Sequence, residues 1–418
     1  MPPLLPDLVT DVLLRLPVTS LLRFRCLSKS HCAEIDSQDF AKNHLNRSIQ
    51  SKTGQKLIIN NEDFTVTTNF CYAEFDGNLK DYYLLNNPLK SSRRCTAVCG
   101  SCNGLFLLGI YVKDENMDFA LWNPFTKKYK KLPACPVQTN PGYKTFMCFG
   151  LGYMSATNDY KIVMISEVWK SNDDDDVCFQ VWVFSLNSNS WRRIQDVEDE
   201  LFSWVGLYAN GALYWQNKDK CVGFDITNEV FFNLTLLPDC GPTAIYYEIV
   251  LLGGNLYSPV IRHELSGLEF YLRVSDNGGE VAGGSWRKEF TIQGVGNIIL
   301  SAPYPLAYSK EGDSILLNGG NWVYWYNFEN QKRTRVEILG LPGYPTYNLY
   351  VCWESLVSPG NDSAFDGRAE EVIIEDPEDD PEDDSEDDSE DDLEDDPEDD
   401  SEDDSEDDSE DDLEDDSD

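Results

Sequence analysis

The sequence is poor in the residues and motifs that enzymes most often use. Only three histidines occur in 418 residues, and only His263 lies in the central part of the chain. No G-x-S-x-G nucleophile motif, P-loop, dinucleotide-binding motif or H-E-x-x-H motif is present. We therefore expect a protein that is not an enzyme, with no catalytic residue and no cofactor.

Long apolar runs and clustered metal ligands are also missing. No stretch approaches the roughly 18–20 apolar residues of a membrane span, and no secretory signal is evident. The 12 cysteines are scattered, and Cys95, Cys99 and Cys102 have no fourth ligand at a suitable spacing. These features predict no metal site, no membrane binding and a location in the cytoplasm, the nucleus or both.

Basic residues are few, with 33 Lys and Arg against 75 Asp and Glu. The densest basic cluster is the lysine group of the segment K-K-Y-K-K at 127–131. Four lysines in a net-negative body argue only weakly for nucleic acid or nuclear import, and we expect no nucleic acid as a partner. The excess of acid is concentrated at the C-terminus, because the segment from Glu370 onward holds 35 acidic residues and no Lys or Arg.

The acidic C-terminal segment repeats E-D-D-P, E-D-D-S or E-D-D-L every four residues from Glu378. Neighbouring like charges repel and no core can form, so we expect a disordered tail over 363–418. It is interpreted as a solubilising extension, as a surface for a basic protein, or as a phosphorylation target. The serines that precede E-D-D are Ser385, Ser389, Ser401, Ser405 and Ser409.

The first forty residues carry the clearest helical pattern. Leu5, Leu8, Val12 and Leu16 recur at helical spacing, with a second apolar stripe beside them. Pro6 suits the first turn of this helix and Pro17 ends it. Thr19 or Ser20 is suited to cap a second helix, and Ser37 is suited to cap a later one.

So small a helical segment seldom buries enough surface to be stable alone. We expect its apolar side chains to contact a partner protein, since each leucine-sized anchor contributes about 1.5–3 kcal/mol when fully buried. A different interpretation is that the helices only cap the following domain and bury both stripes internally.

The segment L-P-D-L-V-T-D-V-L-L-R-L-P-V-T-S-L-L-R-F-R-C-L-S-K-S resembles an F-box, the module that docks onto the Skp-type adaptor of cullin-based ubiquitin ligases. The resemblance implies a helical domain over 1–48 and a set of adaptor-contacting residues. These residues are Leu5, Pro6, Leu8, Val12, Leu16, Pro17 and Leu21.

One position departs from the F-box pattern. His31 stands where the family usually has tryptophan after the S-K-x signature. Because that tryptophan belongs mainly to the core of the F-box, we expect His31 to weaken local stability before it affects adaptor binding.

Residues 49–362 change to short aromatic and β-branched runs separated by turn residues, which predicts an all-β region. One hairpin pattern recurs every 40–65 residues or so, and glycine followed by an apolar strand recurs between its copies. The hairpin copies are F-A-L-W-N-P-F-T-K-K-Y-K-K-L-P, V-W-V-F-S-L-N-S-N-S-W-R-R-I, V-G-F-D-I-T-N-E-V-F-F-N-L and V-Y-W-Y-N-F-E-N-Q-K-R-T-R-V-E-I. Alternation at this period is typical of propeller blades of about four strands, and we expect six blades or a close relative.

Four motifs in this region are similar to the plant F-box-associated interaction domain, which shares its hairpin pattern with kelch propellers. They are G-S-C-N-G-L at 100–105, L-W-N-P-F-T at 121–126, F-G-L-G-Y with N-D-Y-K-I-V between 149 and 163, and E-S-L-V-S-P at 354–359. The expected fold class is thus α+β and multidomain: an all-α F-box, an all-β propeller-like domain and the acidic tail.

The two resemblances together imply the substrate-recognition subunit of an SCF-type ubiquitin ligase. The F-box would bind the adaptor and, through it, a cullin, and the β-domain would bind a target protein. The sequence does not identify the substrate-binding residues or the target. The alternative hypothesis is a ligase-independent binder or chaperone of basic proteins that acts through the acidic tail.

Overall fold

The chain divides into two units, Met1–Ile374 and Glu375–Asp418. The computed structural model describes parts of the first unit. The described residues are 6–61, 70–75, 79, 82–89, 96–111, 117–137, 143–170, 173–196, 203–217, 220–235, 244–262, 267–274, 284–293, 303–319, 323–336 and 347–360. The predicted disordered tail and its five serines lie outside these residues.

Four short helices open the chain. They are α1 (Pro6–Leu13), α2 (Val18–Phe24), α3 (Lys29–Ile35) and α4 (Gln38–Ser51). Helix α4 continues to Ser51, past the predicted domain boundary at residue 48. Within the described ranges, every helix is too short or too polar to cross a bilayer.

The helix boundaries follow local chemistry. Pro17 precedes α2 and fixes an extended backbone there, with φ −58° and ψ 150°. The predicted cap at Thr19 or Ser20 is wrong, because the helix already begins at Val18 and its N-cap makes no side-chain hydrogen bond. The predicted Ser37 cap is confirmed, since its side chain accepts a hydrogen bond from Phe40 N.

The rest of the described chain is almost entirely β-structure. Its strands in chain order are β1 (Gln55–Asn61), β2 (Phe70–Glu74), β3 (Tyr82–Leu85), β4 (Thr96–Cys102), β5 (Leu105–Tyr111), β6 (Met117–Asn123), β7 (Lys128–Lys131), β8 (Tyr143–Met154), β9 (Asp159–Lys170), β10 (Asp173–Ser185), β11 (Ser190–Arg193), β12 (Val205–Ala209), β13 (Ala212–Asn217), β14 (Lys220–Asp225), β15 (Val230–Thr235), β16 (Ala244–Tyr246), β17 (Val250–Leu252), β18 (Asn255–Arg262), β19 (Gly267–Val274), β20 (Ser285–Gln293), β21 (Tyr304–Tyr308), β22 (Ser314–Asn318), β23 (Val323–Asn327), β24 (Arg333–Val336) and β25 (Tyr347–Trp353).

The described strands follow one repeated plan, the antiparallel meander. Counted by hydrogen-bonded sheets, there are five. The eight-stranded sheet consists of two meanders, β8 to β11 and β12 to β15, joined by a short parallel contact between β8 and β12. The blade count therefore differs slightly from the six predicted, since two meanders share one sheet. The predicted mostly-β, propeller-like class is confirmed.

The two ends of the β-domain meet in one sheet. Strand β25 pairs antiparallel with β1 over seven residue pairs, from Gln55 opposite Trp353 to Asn61 opposite Tyr347. The first meander therefore has the order β25-β1-β2-β3. This pairing brings the E-S-L-V-S-P motif, which follows β25, back to the start of the domain.

The recurring hairpin of the sequence forms the outer half of four meanders. Its copies are β6-β7, β10-β11, β14-β15 and β23-β24. The turn between the first two strands is an Asn-Gly pair at two places, with positive φ at Asn103, Gly104, Asn210 and Gly211. Asn-Gly is the residue pair that favours tight two-residue hairpin turns.

The glycines of F-G-L-G-Y have a different role, since both lie inside β8. A Cβ at Gly150 would approach Leu213 and Trp215 within 2.9 Å, and a Cβ at Gly152 would lie 1.9 Å from Ile226 Cδ1. The missing side chains therefore let the neighbouring meander pack directly against this strand.

Candidate functional site

Helix α1 carries two neighbouring apolar stripes. Val9 and Leu13 pack in the helical core with Leu21, Ile35 and Phe40. Leu8 and Val12, one helical turn apart, are 54% and 57% exposed. An exposed leucine and valine side by side on a short, otherwise packed helix form a surface suited to a protein partner. We call this pair the α1 anchor face.

Polar contacts hold α1 against the other helices. The Asp11 carboxylate accepts hydrogen bonds from Arg15 and Arg47, each at 2.7 Å. These contacts hold the pKa of Asp11 below its usual range. Thr10 Oγ1 donates to Glu34 Oε1 at 2.5 Å. The contacts of Asp11 and Thr10 therefore fix the position of α1, and with it the α1 anchor face.

His44, a buried residue of α4, contacts the segment that follows α1. Its Nε2 lies 2.9 Å from the Leu16 carbonyl oxygen, and its ring stacks on Phe40. Burial lowers the pKa of the imidazole.

The predicted adaptor contacts differ in where the structure places them. Leu5 lies outside the described residues, and Pro6 is the first residue of α1. Leu8 and Val12 form the α1 anchor face, and Pro17 is exposed at the start of α2. Leu16 is partly buried against the helical core.

Leu21 requires a correction. It is fully buried in the core that α1 shares with α3 and α4. Its spacing on α2 marks an apolar stripe, but the stripe faces inward because α1 covers it. Leu21 is therefore a core residue and not a surface anchor.

Leu27 is an exposed apolar residue that the sequence reasoning did not assign to the site. It follows α2 and is 67% exposed. The only signal in the sequence was its place immediately before the S-K-x signature, in a region otherwise rich in charged and polar residues.

His31 occupies a local capping position. Its backbone N donates to Ser28 Oγ at 3.1 Å, and its ring Nδ1 lies 2.7 Å from the same oxygen. The buried helical core is formed by other residues. His31 therefore closes the first turn of α3 instead of filling core volume.

Helix α2 also joins the helices to the β-domain. Val18 is fully buried, in one cluster with Ile58 and Phe70 of the first meander. Leu356, which follows β25, packs against both this cluster and the helical core. The helices are thus seated on the β-domain through shared apolar packing.

A buried carboxylate lies at the centre of this junction. Val18 N donates to Glu354 Oε1 at 3.4 Å, and Glu354 N donates to the Gly54 carbonyl at 2.8 Å. Burial raises the pKa of Glu354, while nearby Lys56 opposes the increase. Gly54 has φ +70°, and a Cβ there would lie 2.9 Å from Glu354 Cγ.

The motifs shared with the associated domain meet beside this junction. Asn123 is fully buried, and its Nδ2 donates to the carbonyls of Ser355 at 2.9 Å and Val357 at 2.8 Å. Its Oδ1 accepts from Phe125 N at 3.0 Å and Thr126 N at 3.2 Å. Asn123 of the L-W-N-P-F-T motif therefore fixes the backbone of the E-S-L-V-S-P motif through hydrogen bonds.

The helices occupy the end of the β-domain where the tight turns lie. Asn158, in the β8-β9 turn, donates through Nδ2 to Gln38 Oε1 of α4 at 2.7 Å. Gly312, in the β21-β22 turn, lies near Lys52 at the end of α4. In an antiparallel meander, the turns after the first and third strands share one end. The opposite end is formed by the remaining connections.

The described cysteines do not form a reactive or metal-binding group. No cluster of three or more metal-ligating side chains occurs in the described parts of the chain. Burial raises the pKa of the Cys71 thiol to about 11 and that of the Cys99 thiol to about 12. Thiols of this kind act as small apolar side chains. Cys95, the third member of the group considered from the sequence, lies outside the described residues.

Comparison with known proteins adds family information to this geometry. Residues 66–253 match the model of the F-box associated beta propeller domain. The chain is 29% identical to F-box protein CPR1 of Arabidopsis thaliana over 381 residues, covering 84% of this chain and 88% of that protein. It is 30% identical to F-box protein At4g22390 of the same plant over 368 residues, covering 79% and 85%.

Proposed function

The chain belongs to the F-box proteins that carry an F-box-associated β-propeller domain, and on this premise we propose that it is the substrate-recognition subunit of an SCF-type ubiquitin ligase. The helical domain binds a Skp-family adaptor and, through it, a cullin. The β-domain binds a target protein. The chain itself supplies binding energy and geometry, and other subunits supply the chemistry.

The observation that carries this proposal is the α1 anchor face. Leu8 and Val12 are exposed on a helix whose other apolar side is buried. Their burial in a partner would contribute about 1.5–3 kcal/mol for each side chain that becomes fully buried. The exposed Leu27 adds apolar surface on the same helical domain.

The packed junction supports a role in positioning. Val18, Leu22 and Leu356 join the helices and the first meander in continuous apolar packing. A rigid connection keeps a bound target at a defined place relative to the adaptor. Fixed placement raises the effective concentration of a target lysine near a charged conjugating enzyme.

We place target binding at the end of the β-domain away from the helices. The tight-turn end is occupied by contacts to α4, including the bond from Asn158 to Gln38. Partners of rigid scaffolds commonly bind the connections at a free end. The target itself is not identified by these features.

The test is co-purification with a Skp-type adaptor. We compare the wild type with a variant carrying Leu8→Ala and Val12→Ala. A matched control is Val230→Ala, which removes an equally exposed apolar side chain (53%) from β15. Loss of adaptor only in the α1 variant supports the proposal. A folded wild type that binds no adaptor, or an α1 variant that binds like the wild type, contradicts it.

A further inference from the structure

A cleft of about 730 Å³ lies beside the linker between α4 and β1. Lys52 and Gly54 of this linker form one wall, and residues of the first and last meanders form the others. Its size falls in the range of sites that hold small molecules. The cleft lies at the helix-bearing end of the β-domain, apart from the α1 anchor face and from the end that we assign to the target.

The apolar part of the cleft is aromatic. Phe75 and Trp325 meet edge to face, with ring centroids 6.2 Å apart and planes at 83°. Tyr308 lines the cleft beside them. All three rings are only partly buried, so they offer surface on which a flat apolar group can pack.

The rim of the cleft carries uncommitted positive charge. Lys52 and Lys310 are exposed, and neither forms an ion pair within the described residues. Lys56 is different, because its Nζ lies 2.8 Å from Glu74 Oε1. Two of the three lysines are therefore available to an incoming anion.

Three acidic groups line the cleft, and of these Glu74 is paired with Lys56. Asp313 accepts hydrogen bonds from Ser309 Oγ at 2.8 Å and from Asn327 Nδ2 at 3.3 Å. Bonds from serine hydroxyls hold the pKa of Asp313 below its usual range. Glu311 is the one acid in the described lining without such a contact. Asp313 and Glu311 both oppose an anion, so the anion has to lie close to Lys52 and Lys310, which have no acidic partner among the described residues.

We propose that this cleft binds a small aromatic anion, with the ring against Phe75 and Trp325 and the negative group between Lys52 and Lys310. The ring gains apolar contact, and the anion gains charge-assisted hydrogen bonds from ammonium groups.

The position of the cleft gives binding a structural consequence. Lys52 belongs to the end of α4, Phe75 follows β2, and Lys310 lies in the β21-β22 turn. A ligand that contacts all three connects the helical domain to the meanders on either side of the closing strand. Such a ligand binds the folded state and raises its apparent stability.

The probe is phenyl phosphate, which combines one ring with one anionic group. Its affinity for the full chain is measured by calorimetry, and its effect on the melting temperature is measured in parallel. Phenol and inorganic phosphate each supply half of the chemistry. We expect phenyl phosphate to bind at least about tenfold more tightly than either, and the binding to weaken as salt is added.

Charge variants test the assignment without disturbing a buried core. Lys52→Gln and Lys310→Gln should each weaken phenyl phosphate binding by about fivefold to tenfold. Glu311→Gln should strengthen it, because it removes one of the two opposing charges, the other being Asp313. Lys332→Gln is the matched control, since this exposed lysine lies in the β23-β24 turn outside the cleft lining.

Three results would overturn the proposal. They are no binding of phenyl phosphate by the folded chain at millimolar concentration, binding that inorganic phosphate or phenol reproduces, and binding that both lysine variants leave unchanged. The proposal does not rest on adaptor binding. Failure of the adaptor test and failure of this test are therefore distinguishable.

Discussion

The backbone N–H of Val18 donates a hydrogen bond to Oε1 of Glu354 at 3.4 Å, across 336 residues of sequence. One residue lies in the helical domain and the other directly follows the strand that closes the β-domain. A carboxylate in this enclosed place costs free energy when it is charged. The contact therefore links the stability of the domain junction to pH.

Glu354→Gln should remove part of the pH dependence of stability. Burial raises the pKa of Glu354 above its ordinary value of 4.5, so the folded state holds this proton more tightly than the unfolded state does. The stabilisation that this proton gives to the folded state is fully present below the ordinary pKa, and it is lost as pH rises through the raised pKa. The stability of the variant relative to wild type should therefore increase with pH in urea unfolding.

Glu329→Gln provides the control for that series, because Glu329 is exposed in the β23-β24 turn. Its difference from wild type should not follow the same pH trend. A Glu354→Gln difference that is constant between pH 4 and pH 8 or so would rule out the linkage.

Asn123→Ala should destabilise the β-domain by roughly 2–4 kcal/mol. The change leaves two carbonyls and two N–H groups, each buried or partly buried, without the partner that the amide supplied. Urea unfolding measures the loss. Asn228→Ala, at an exposed turn position, should cost less than about 1 kcal/mol. Equal losses in the two variants would show that the hydrogen bonds of Asn123 do not stabilise the contact between the two motifs.

Gly104→Ala should cost more than Gly211→Ala, although both glycines follow asparagine in a tight turn and have positive φ. A Cβ at Gly104 would lie 2.8 Å from the Ser355 side chain and the Trp353 carbonyl, whereas nothing lies within 4 Å of one at Gly211. Both variants carry the backbone strain of about 1 kcal/mol, so the difference between them measures the clash. Equal unfolding free energies would show that E-S-L-V-S-P is not held against this turn.

Leu21→Ala and Leu8→Ala should have separate effects. Leu21 is fully buried, so its truncation should lower the free energy of unfolding by about 2–5 kcal/mol. Leu8 is exposed, so its truncation should change stability by less than about 0.5 kcal/mol and act on adaptor affinity instead. Thermal unfolding and adaptor titration of both variants check the assignment. If the Leu21→Ala protein is as stable as the wild type, the assignment of Leu21 to the core is wrong.

Removal of residues 370–418 separates the two functional hypotheses. If the chain is a ligase receptor, adaptor affinity should change by less than about twofold, since the truncation leaves the helical domain and the described strands intact. If the acidic segment is the working part, affinity for a histone-like basic protein should collapse and the intact chain should show steep salt dependence. Titrations with both partners at two salt concentrations decide between the outcomes.

Much of the secondary structure could be predicted from local patterns. The spacing of Leu8 with Val12 and of Val9 with Leu13 marks two apolar stripes on α1, and the paired turn residues mark the outer hairpins of four meanders. Both signals are short-range: a helix repeats every 3.6 residues and a strand every two. The sequence also determined the strong charge asymmetry between the body and the acidic segment.

The sequence could not show which of two similar apolar stripes would be exposed. Leu8 and Leu21 are both leucines on apolar stripes, yet one is exposed and the other is buried. Which stripe stays open depends on how the helices pack, and hydrophobicity alone does not encode that choice. The cleft at Lys52 and Lys310 was missed for a related reason, since its walls come from residues 52–56, 74 and 75 at one end of the β-domain sequence and from residues between 308 and 325 near the other.

The sequence by itself therefore determined the elements, their repeat and the motifs that mark the family. The tertiary structure decided which motifs touch, as when Asn123 reaches the carbonyls after β25, and which apolar side chains remain for a partner. The physical reason is that local periodicity fixes backbone conformation within a few residues. Burial and long-range hydrogen bonding depend on closure of the chain, which brings residues 54 and 354 into contact.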